Sequence, residues 1–280
     1  MDQEAAKARE HAAWSKVAPG WRWHDARLRR YAAPVTERLV AGLEPGDFVL
    51  DVAAGTGEPS ISAAQRVGPT GRVIATDFVE EMLAVARQKA SQLGLQNLEL
   101  RLIDAERIDA AAGSFDAITM RFGLMFMPDP AAFLEGARRA LKPGGHIALA
   151  VWAGPDRNPW AAVPMAVLKR HMEIPAPLPG APGIFAFADP ARLRSALEGA
   201  GFEDVTIEEV KVTMSDFDTG VEFASFTLDV AGPIALLFDQ LPQDKKALVT
   251  EEIGLAAERA GGGKPHLGGV ALVATGRVSG

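Results

Sequence analysis

The 280-residue sequence contains no cysteine. That absence excludes disulfides, thiolate nucleophiles and cysteine-ligated metal centres. Histidine is scarce: His11, His24, His146, His171 and His266 are all there are. None combines with Asp or Glu at a metal-ligand spacing, so no metal is expected. There is one tyrosine, Tyr31. No apolar run approaches the roughly 20 residues of a membrane-spanning helix. The stretch from Met1 to Arg9 is charged and alanine-rich and has no apolar segment of a secretory leader, so a cytoplasmic protein is expected. Basic charge is in deficit, 29 Lys and Arg against 36 Asp and Glu, for a net charge of −7. This argues against nucleic acid as the main substrate, because a phosphate backbone calls for a basic face. The one basic cluster, Arg22, Arg27, Arg29 and Arg30, reads as a solvated helix face.

What is present is a globular composition, 48% hydrophobic and 23% charged, in a chain long enough to bury a sizeable core. Its organising stretch runs from Phe48 to Ser60. Behind the turn signal Pro45-Gly46-Asp47, the apolar run Phe48 to Val52 suits a strand buried on both faces of a parallel sheet. The run breaks into the small-residue turn Ala53-Ala54-Gly55-Thr56-Gly57, and Ser60 to Val67 then reads as a helix. Pro59 suits the first helical turn, where a missing N–H costs nothing. A glycine turn lets a ligand approach the backbone, and the free N–H groups of a helix start favour an anionic group. A second run, Arg72 to Thr76, ends on Asp77, 20 residues after Gly57. A carboxylate ending the second strand can accept from both hydroxyls of a ribose.

Val49 to Gly57 together with Ala75-Thr76-Asp77 resembles the first two motifs of class I S-adenosylmethionine (SAM) methyltransferases. Arg101-Leu102-Ile103-Asp104-Ala105-Glu106 resembles the family's strand-three end. Ser114 to Pro130, followed by Ala140-Leu141-Lys142-Pro143-Gly144-Gly145, resembles its fourth strand and the approach to its fifth. The wording Arg121-Phe122-Gly123 is similar to the ubiquinone/menaquinone-biosynthesis type. Four motifs in order across 35–152 are specific where any one alone is not. The family's first turn glycine is Ala53 here, which keeps a small side chain at that point. The resemblance implies that Asp51, Ala53, Gly55 and Gly57 surround the methionine part of SAM. It implies that Asp77 holds the ribose, with Phe78 and Met82 packing near the adenine. Asp104 would meet the adenine amine, with Ala105 and Glu106 alongside, and Arg121, Phe122 and Met125 would lie beneath the cofactor, near the substrate.

Taken in order, the chain opens with a helix over 2–17, a break at Ala18-Pro19-Gly20 and dense aromatics at Trp21, Trp23 and Tyr31. Pro34 is expected to open a further helix over 35–42. Strands are expected at 48–52, 72–76, 98–103, 115–120 and 146–152, and helices at 59–67, 79–93 and 130–141. Alternation of this kind implies a parallel sheet with helices on both faces. Each motif above falls at the carboxyl end of a strand, where such sheets bind ligands. Beyond Trp152, helices are expected over 159–172 and 189–200, a half-exposed strand over 205–214, mostly helix over 221–260 and a last strand over 269–278. The expectation is therefore one α/β domain, 1–280, with a Rossmann-like, seven-stranded, mostly parallel sheet whose last strand is antiparallel. Residues 1–34 would form a helical lid, 35–152 the SAM-binding core, 153–188 and 216–266 substrate caps, and 189–215 with 267–280 the completion of the sheet.

Bland readings stand beside these roles. Asp51 either touches the cofactor or braces the turn. Glu106 either faces adenine or caps a surface helix, and Arg121 either faces the site or pairs with a structural carboxylate. Phe122, Met125, Phe126 and Met127 either approach the substrate or are plain core. Trp21, Trp23 and Tyr31, with Met125 and Trp152, are expected to line the substrate pocket. His24, in the aromatic cluster, and then His171 are the general-base candidates, while His146 opens a core strand and reads as structural. The leading reading is transfer of the SAM methyl group to a small, fairly apolar molecule such as a quinone precursor or a secondary metabolite, leaving S-adenosylhomocysteine (SAH). A SAM-binding cyclase or scaffold without methyl transfer is the alternative. A nicotinamide-dependent dehydrogenase expects glycine where Ser60 stands. A homodimer formed through the insertions is compatible with the sequence.

Overall fold

Five apolar runs become the first strands of one sheet: β1 (Phe48–Val52), β2 (Arg72–Asp77), β3 (Leu98–Leu102), β4 (Phe115–Arg121) and β5 (Leu141–Trp152). The structure is a computed structural model describing residues 3–176 and 180–280. Asp2, expected at the first helix start, and residues 177–179 of the first expected cap lie outside the described residues. Between the strands run α3 (Ser60–Val67), α4 (Glu80–Gln92) and α5 (Pro130–Ala140). The alternation of side chains along β1 explains why helices are needed on both faces. Val49 packs with Ala63, Ala64 and Val67 of α3. Leu50 and Val52 join Ile118 and Met120 of β4 and Phe133 and Leu134 of α5 in the main core.

The strand order is β3-β2-β1-β4-β5-β7-β6, where β6 spans Glu203–Asp216 and β7 spans His266–Arg277. Strands β1 to β5 pair in parallel. The last strand, β7, inserts antiparallel between β5 and β6. This is the expected seven-stranded, mostly parallel sheet. The fifth strand starts five residues before the expected 146, because Leu141 already pairs with Phe115 ahead of a bulge that absorbs the Pro143-Gly144-Gly145 turn signal.

The amino-terminal segment departs from expectation. No break occurs at Pro19: α1 runs Gln3–Trp23 with Pro19 inside it. The missing N–H forfeits one helical bond, but packing on both sides holds the helix. Val17 and Ala18 are buried against Val79, Met82 and Ala235. Gly20, read as half of a breaker pair, is instead a contact residue, since a Cβ there would lie 2.0 Å from the Asp229 carbonyl oxygen. Pro34 likewise does not start a helix. It sits inside α2 (Asp25–Val40), whose Tyr31, Val35 and Leu39 are buried in the main core.

The carboxyl-terminal half supplies α6 (Pro159–His171), α7 (Pro190–Gly199), α8 (Gly220–Val230), α9 (Gly232–Asp239) and α10 (Gln243–Ala260). Asp189 caps α7 by accepting from Ala191 N–H at 2.9 Å, and Thr219 with Glu222 forms a capping box on α8. Among the described residues no single helix is long and apolar enough to cross a membrane. Helices α8 and α9 are jointly apolar, but they bend by 100° at their junction and bury Phe223, Phe226, Val230 and Ile234 in the core.

Candidate functional site

The turn after β1 is built on left-handed backbone at Ala53 (φ 56°), Gly55 (φ 53°) and Gly57 (φ 104°). Glycine at 57 is forced twice over, by that φ and by crowding, since a Cβ would stand 3.0 Å from Ile61 and 3.2 Å from Ala86. The Ala53 methyl fits because residue 123 is glycine: Gly123, after β4, lies so close that a Cβ on it would be 2.8 Å from that of Ala53. Beneath the turn Asp51 is fully buried. Its carboxylate accepts from the Ser60 hydroxyl and, at 2.7 Å, from Thr119 Oγ1, tying β1 to the start of α3 and to β4. Burial raises its pKa to about 7, against the opposing pull of those two hydrogen bonds and of Arg121.

Asp77, at the end of β2, is 8% exposed. One oxygen accepts from Gly55 N–H at 2.8 Å and the other from Val79 N–H at 2.9 Å. It therefore locks the glycine turn to the second strand while its carboxylate keeps acceptor capacity for a further donor. Burial pushes its pKa up, and the backbone hydrogen bonds from Val79, Gly55 and Phe78 pull it back. Phe78 presents its ring to the edge of His11 at 5.6 Å, and Met82 is buried beside Val17 and Ala18.

Past β3, Asp104 caps a 3-10 turn (Ala105–Arg107) by accepting from Glu106 N–H at 3.0 Å. Glu106 reaches across to accept from Asp129 N–H at 2.7 Å. Lys7 of α1 clasps both carboxylates, 2.7 Å from Asp104 and 2.6 Å from Glu106. Along the same helix Ser15 reaches Glu81, and Trp14 meets Phe126 edge-on at 5.1 Å. Glu10, a carboxylate half-buried beside Trp14, has its pKa raised to about 7 by burial. Where α1 gives way to α2, Lys89 of α4 bridges Asp25 at 2.7 Å and the Thr56 carbonyl at 2.8 Å. Helix α1 and the first residues of α2 thus reach from the β3 end to the glycine turn.

At the end of β4, Arg121 alternates onto the same face as Thr119, under the turn. It is half-buried and donates from Nη1 to Thr36 Oγ1 at 2.8 Å. Among the described residues it has no ion-pair partner, so the structural-carboxylate reading does not hold for it. Phe122 has a left-handed φ of 63° and stacks on Trp152 at 4.0 Å with planes 9° apart. Met125 is buried, and its carbonyl accepts from Gly183 N–H at 2.8 Å, joining the β4 end to the segment after α6.

The remaining sequence candidates separate. Trp21 donates to the Val230 carbonyl at 2.8 Å. Trp23, expected in the pocket wall, is 84% exposed, because the turn that ends α1 aims it at solvent. Tyr31 is buried and donates to Asp216, an interaction that together with burial holds the phenol in its protonated form. His24 pairs with Asp229 of α8 at 3.0 Å and packs edge-on against Phe226 at 5.0 Å. His171 instead pairs with Glu252 of α10 at 3.0 Å, in a tie between two helices that follow the core. His146 is half-buried, and its buried Nε2 has no hydrogen-bond partner among the described residues. Lys7, Asp25, Thr36 and Lys89 were not anticipated. Each acts over a long sequence separation, and an isolated Lys or Thr on a helix leaves no pattern that marks a tertiary contact.

Fold and turn together define a class: a doubly wound α/β protein of the kind that binds nucleoside-like cofactors at the carboxyl edge of its sheet, here where β1 lies between β2 and β4. A family model for a methyltransferase domain matches residues 43–164. The demethylmenaquinone methyltransferase of Listeria monocytogenes serotype 4a (strain HCC23) is 32% identical over 175 residues, covering 61% of this chain and 73% of that one. The nocamycin O-methyltransferase of Saccharothrix syringae is 30% identical over 261 residues, covering 85% of this chain and 89% of that one. A solved SAM-dependent methyltransferase from Aquifex aeolicus is similar at 27% identity and a TM-score of 0.50, over 66% of this chain and 87% of that one. The chain belongs to the class I SAM-dependent methyltransferases, and SAM is its cofactor.

Proposed function

We propose that this enzyme methylates a small, fairly apolar molecule on the carboxyl edge of the sheet, under a lid made by α1 and the amino end of α2. One observation carries the reading. The glycine turn, Asp77 and the Asp104-Glu106 pair, far apart in sequence, face one another at the ends of β1, β2 and β3. In this reading Ala53, Gly55 and Gly57 leave room for the amino-acid part of SAM, and Asp51 acts through the turn by bracing it. Asp77 uses its spare lone pairs for the ribose hydroxyls. Phe78 and Met82 flank the adenine, Asp104 accepts from its amine, and Ala105 and Glu106 close that end. When bound, the sulfonium supplies an electrophilic methyl group, so the protein's contribution is orientation, exclusion of water and, where the acceptor needs it, removal of a proton.

In this reading the Phe122-Trp152 stack and Met125 form the apolar wall against which an acceptor would lie, with Trp21 tied to the Val230 carbonyl and Tyr31 bracing the cap through Asp216. The segments 153–188 and 216–266 are the caps that select it. The relatives' names suggest two acceptor classes, a quinone precursor and a secondary metabolite, and the apolar wall suits either.

Between the two histidines, His24 is the base in this proposal. It precedes in sequence Asp25, which Lys89 links to the glycine turn, and Asp229 orients its ring. The test is SAH release from SAM with a panel of phenolic and hydroxyquinone acceptors. Turnover with at least one is expected. His24→Asn should lower kcat by about 100-fold or more with an acceptor that must lose a proton, and leave the KM for SAM within about twofold. His171→Asn should leave both within about threefold. A loss confined to His171→Asn would reverse the assignment, and no SAH release with any acceptor would count against the acceptor class.

A further inference from the structure

Within the SAM-binding reading above, one side chain has bonding capacity that its surroundings leave unused. The Arg121 guanidinium carries five N–H donors, and among the described residues one bond, to Thr36, is made. Burial lowers its pKa, while Glu58, Asp51 and Asp25 act through space in the opposite direction and hold the charge in place. These carboxylates have other engagements. Asp51 is taken by Ser60 and Thr119, Glu58 accepts from Ser62 at 2.7 Å, and Asp25 is paired with Lys89. Lys89 is itself engaged by Asp25 and the Thr56 carbonyl, and Lys7 by Asp104 and Glu106. Among the described residues, Arg121 is therefore a cation near the turn with donors to spare.

Its position narrows what those donors meet. Strand pairing sets Asp51 beside Thr119 and Val52 beside Met120, so Arg121 falls level with Ala53, the first residue of the glycine turn. Alternation along β4 directs Arg121 to the face that holds Asp51 and the start of α3. The cofactor has no phosphate; its one anionic group is the α-carboxylate of its methionine part. A planar fork matches a carboxylate in two parallel hydrogen bonds, and a half-buried charge needs such a partner far more than an exposed one does. We propose that Arg121 is the receptor for the α-carboxylate of SAM and SAH, held in orientation by Thr36. It is a positioning residue: it fixes the amino-acid end and takes no part in bond making.

The test is calorimetric and independent of turnover. SAH and its decarboxylated analogue, which keeps the adenosine, the sulfur and the amine, are titrated into wild type and Arg121→Gln. Wild type should prefer SAH by about 30-fold, as expected for a charge-assisted pair. Arg121→Gln should lose that preference by weakening SAH while binding the analogue within about twofold of wild type. Should the glutamine variant not fold, Arg121→Lys, which keeps the charge and loses the fork, should show a preference about fivefold smaller than wild type. Equal weakening of both ligands, or an unchanged preference in the variant that folds, would overturn the proposal and leave the cofactor site standing. Failure of wild type to bind either ligand would instead overturn the cofactor reading, and the role of Arg121 with it.

Discussion

Asp51 has no solvent exposure, yet it is a carboxylate, and two hydroxyls stand where a cation would ordinarily be. Its folded pKa of about 7 lies above the usual value near 4. Between those values the folded chain keeps a proton that the unfolded chain has released. Stability therefore falls as pH rises from about 4 to about 7 and levels off above. Asparagine at this position does not titrate. The melting temperature of wild type relative to Asp51→Asn should accordingly drop across that window and stay constant beyond it, as thermal melts at several pH values will show; a difference that is flat with pH would rule this out. The sequence left Asp51 two roles, touching the cofactor or bracing the turn. What it could not supply were Ser60 and Thr119 as partners, because the second lies 68 residues away across a strand pairing. Ala53 is similar. Its smallness was legible, whereas the space left for it by Gly123 is a property of two loops meeting.

At the scale of elements, the alternation between 47 and 152 was readable because each strand is buried on both faces and each helix has one apolar side. Boundaries there fall within one or two residues of expectation, apart from the early start of β5. Expectation and structure part at Pro19 and Pro34, where propensity places helix boundaries. Local propensity lost to packing: Val17, Ala18 and Gly20 on α1, and Tyr31, Val35 and Leu39 on α2, have tertiary partners that outweigh one missing hydrogen bond per proline. Helix α1 also carries Lys7 to Asp104 and Glu106, the carboxylates that an adenine amine would use in the proposed function. Removing that competitor should help the cofactor. Lys7→Met is expected to bind SAH about fivefold faster and tighter, which stopped-flow fluorescence from Trp14 and Trp21 on the same helix can follow. Slower association would mean that Lys7 guides the cofactor in rather than standing in its place.

Across the whole molecule, the topology concentrates chemistry at one edge. Five parallel strands end on Val52, Asp77, Leu102, Arg121 and Trp152, and the segments outside the core, α1 with the amino end of α2 and the stretch after α6, attach there through Lys7, Lys89 and Met125. The parallel α/β core and the cofactor class were legible in the four motifs. The acceptor was not, because the segments proposed to select it carry no periodic signature beyond helix. The central claim is that the cofactor lies across this edge with its ribose on Asp77. Isothermal titration of SAH into wild type and Asp77→Asn, each verified as folded by thermal melting, tests it most directly. Micromolar binding by wild type, weakened by about 100-fold in the variant through loss of charge-assisted bonds to two hydroxyls, is the predicted result. Equal affinity in the two proteins, or no binding by folded wild type, would contradict it.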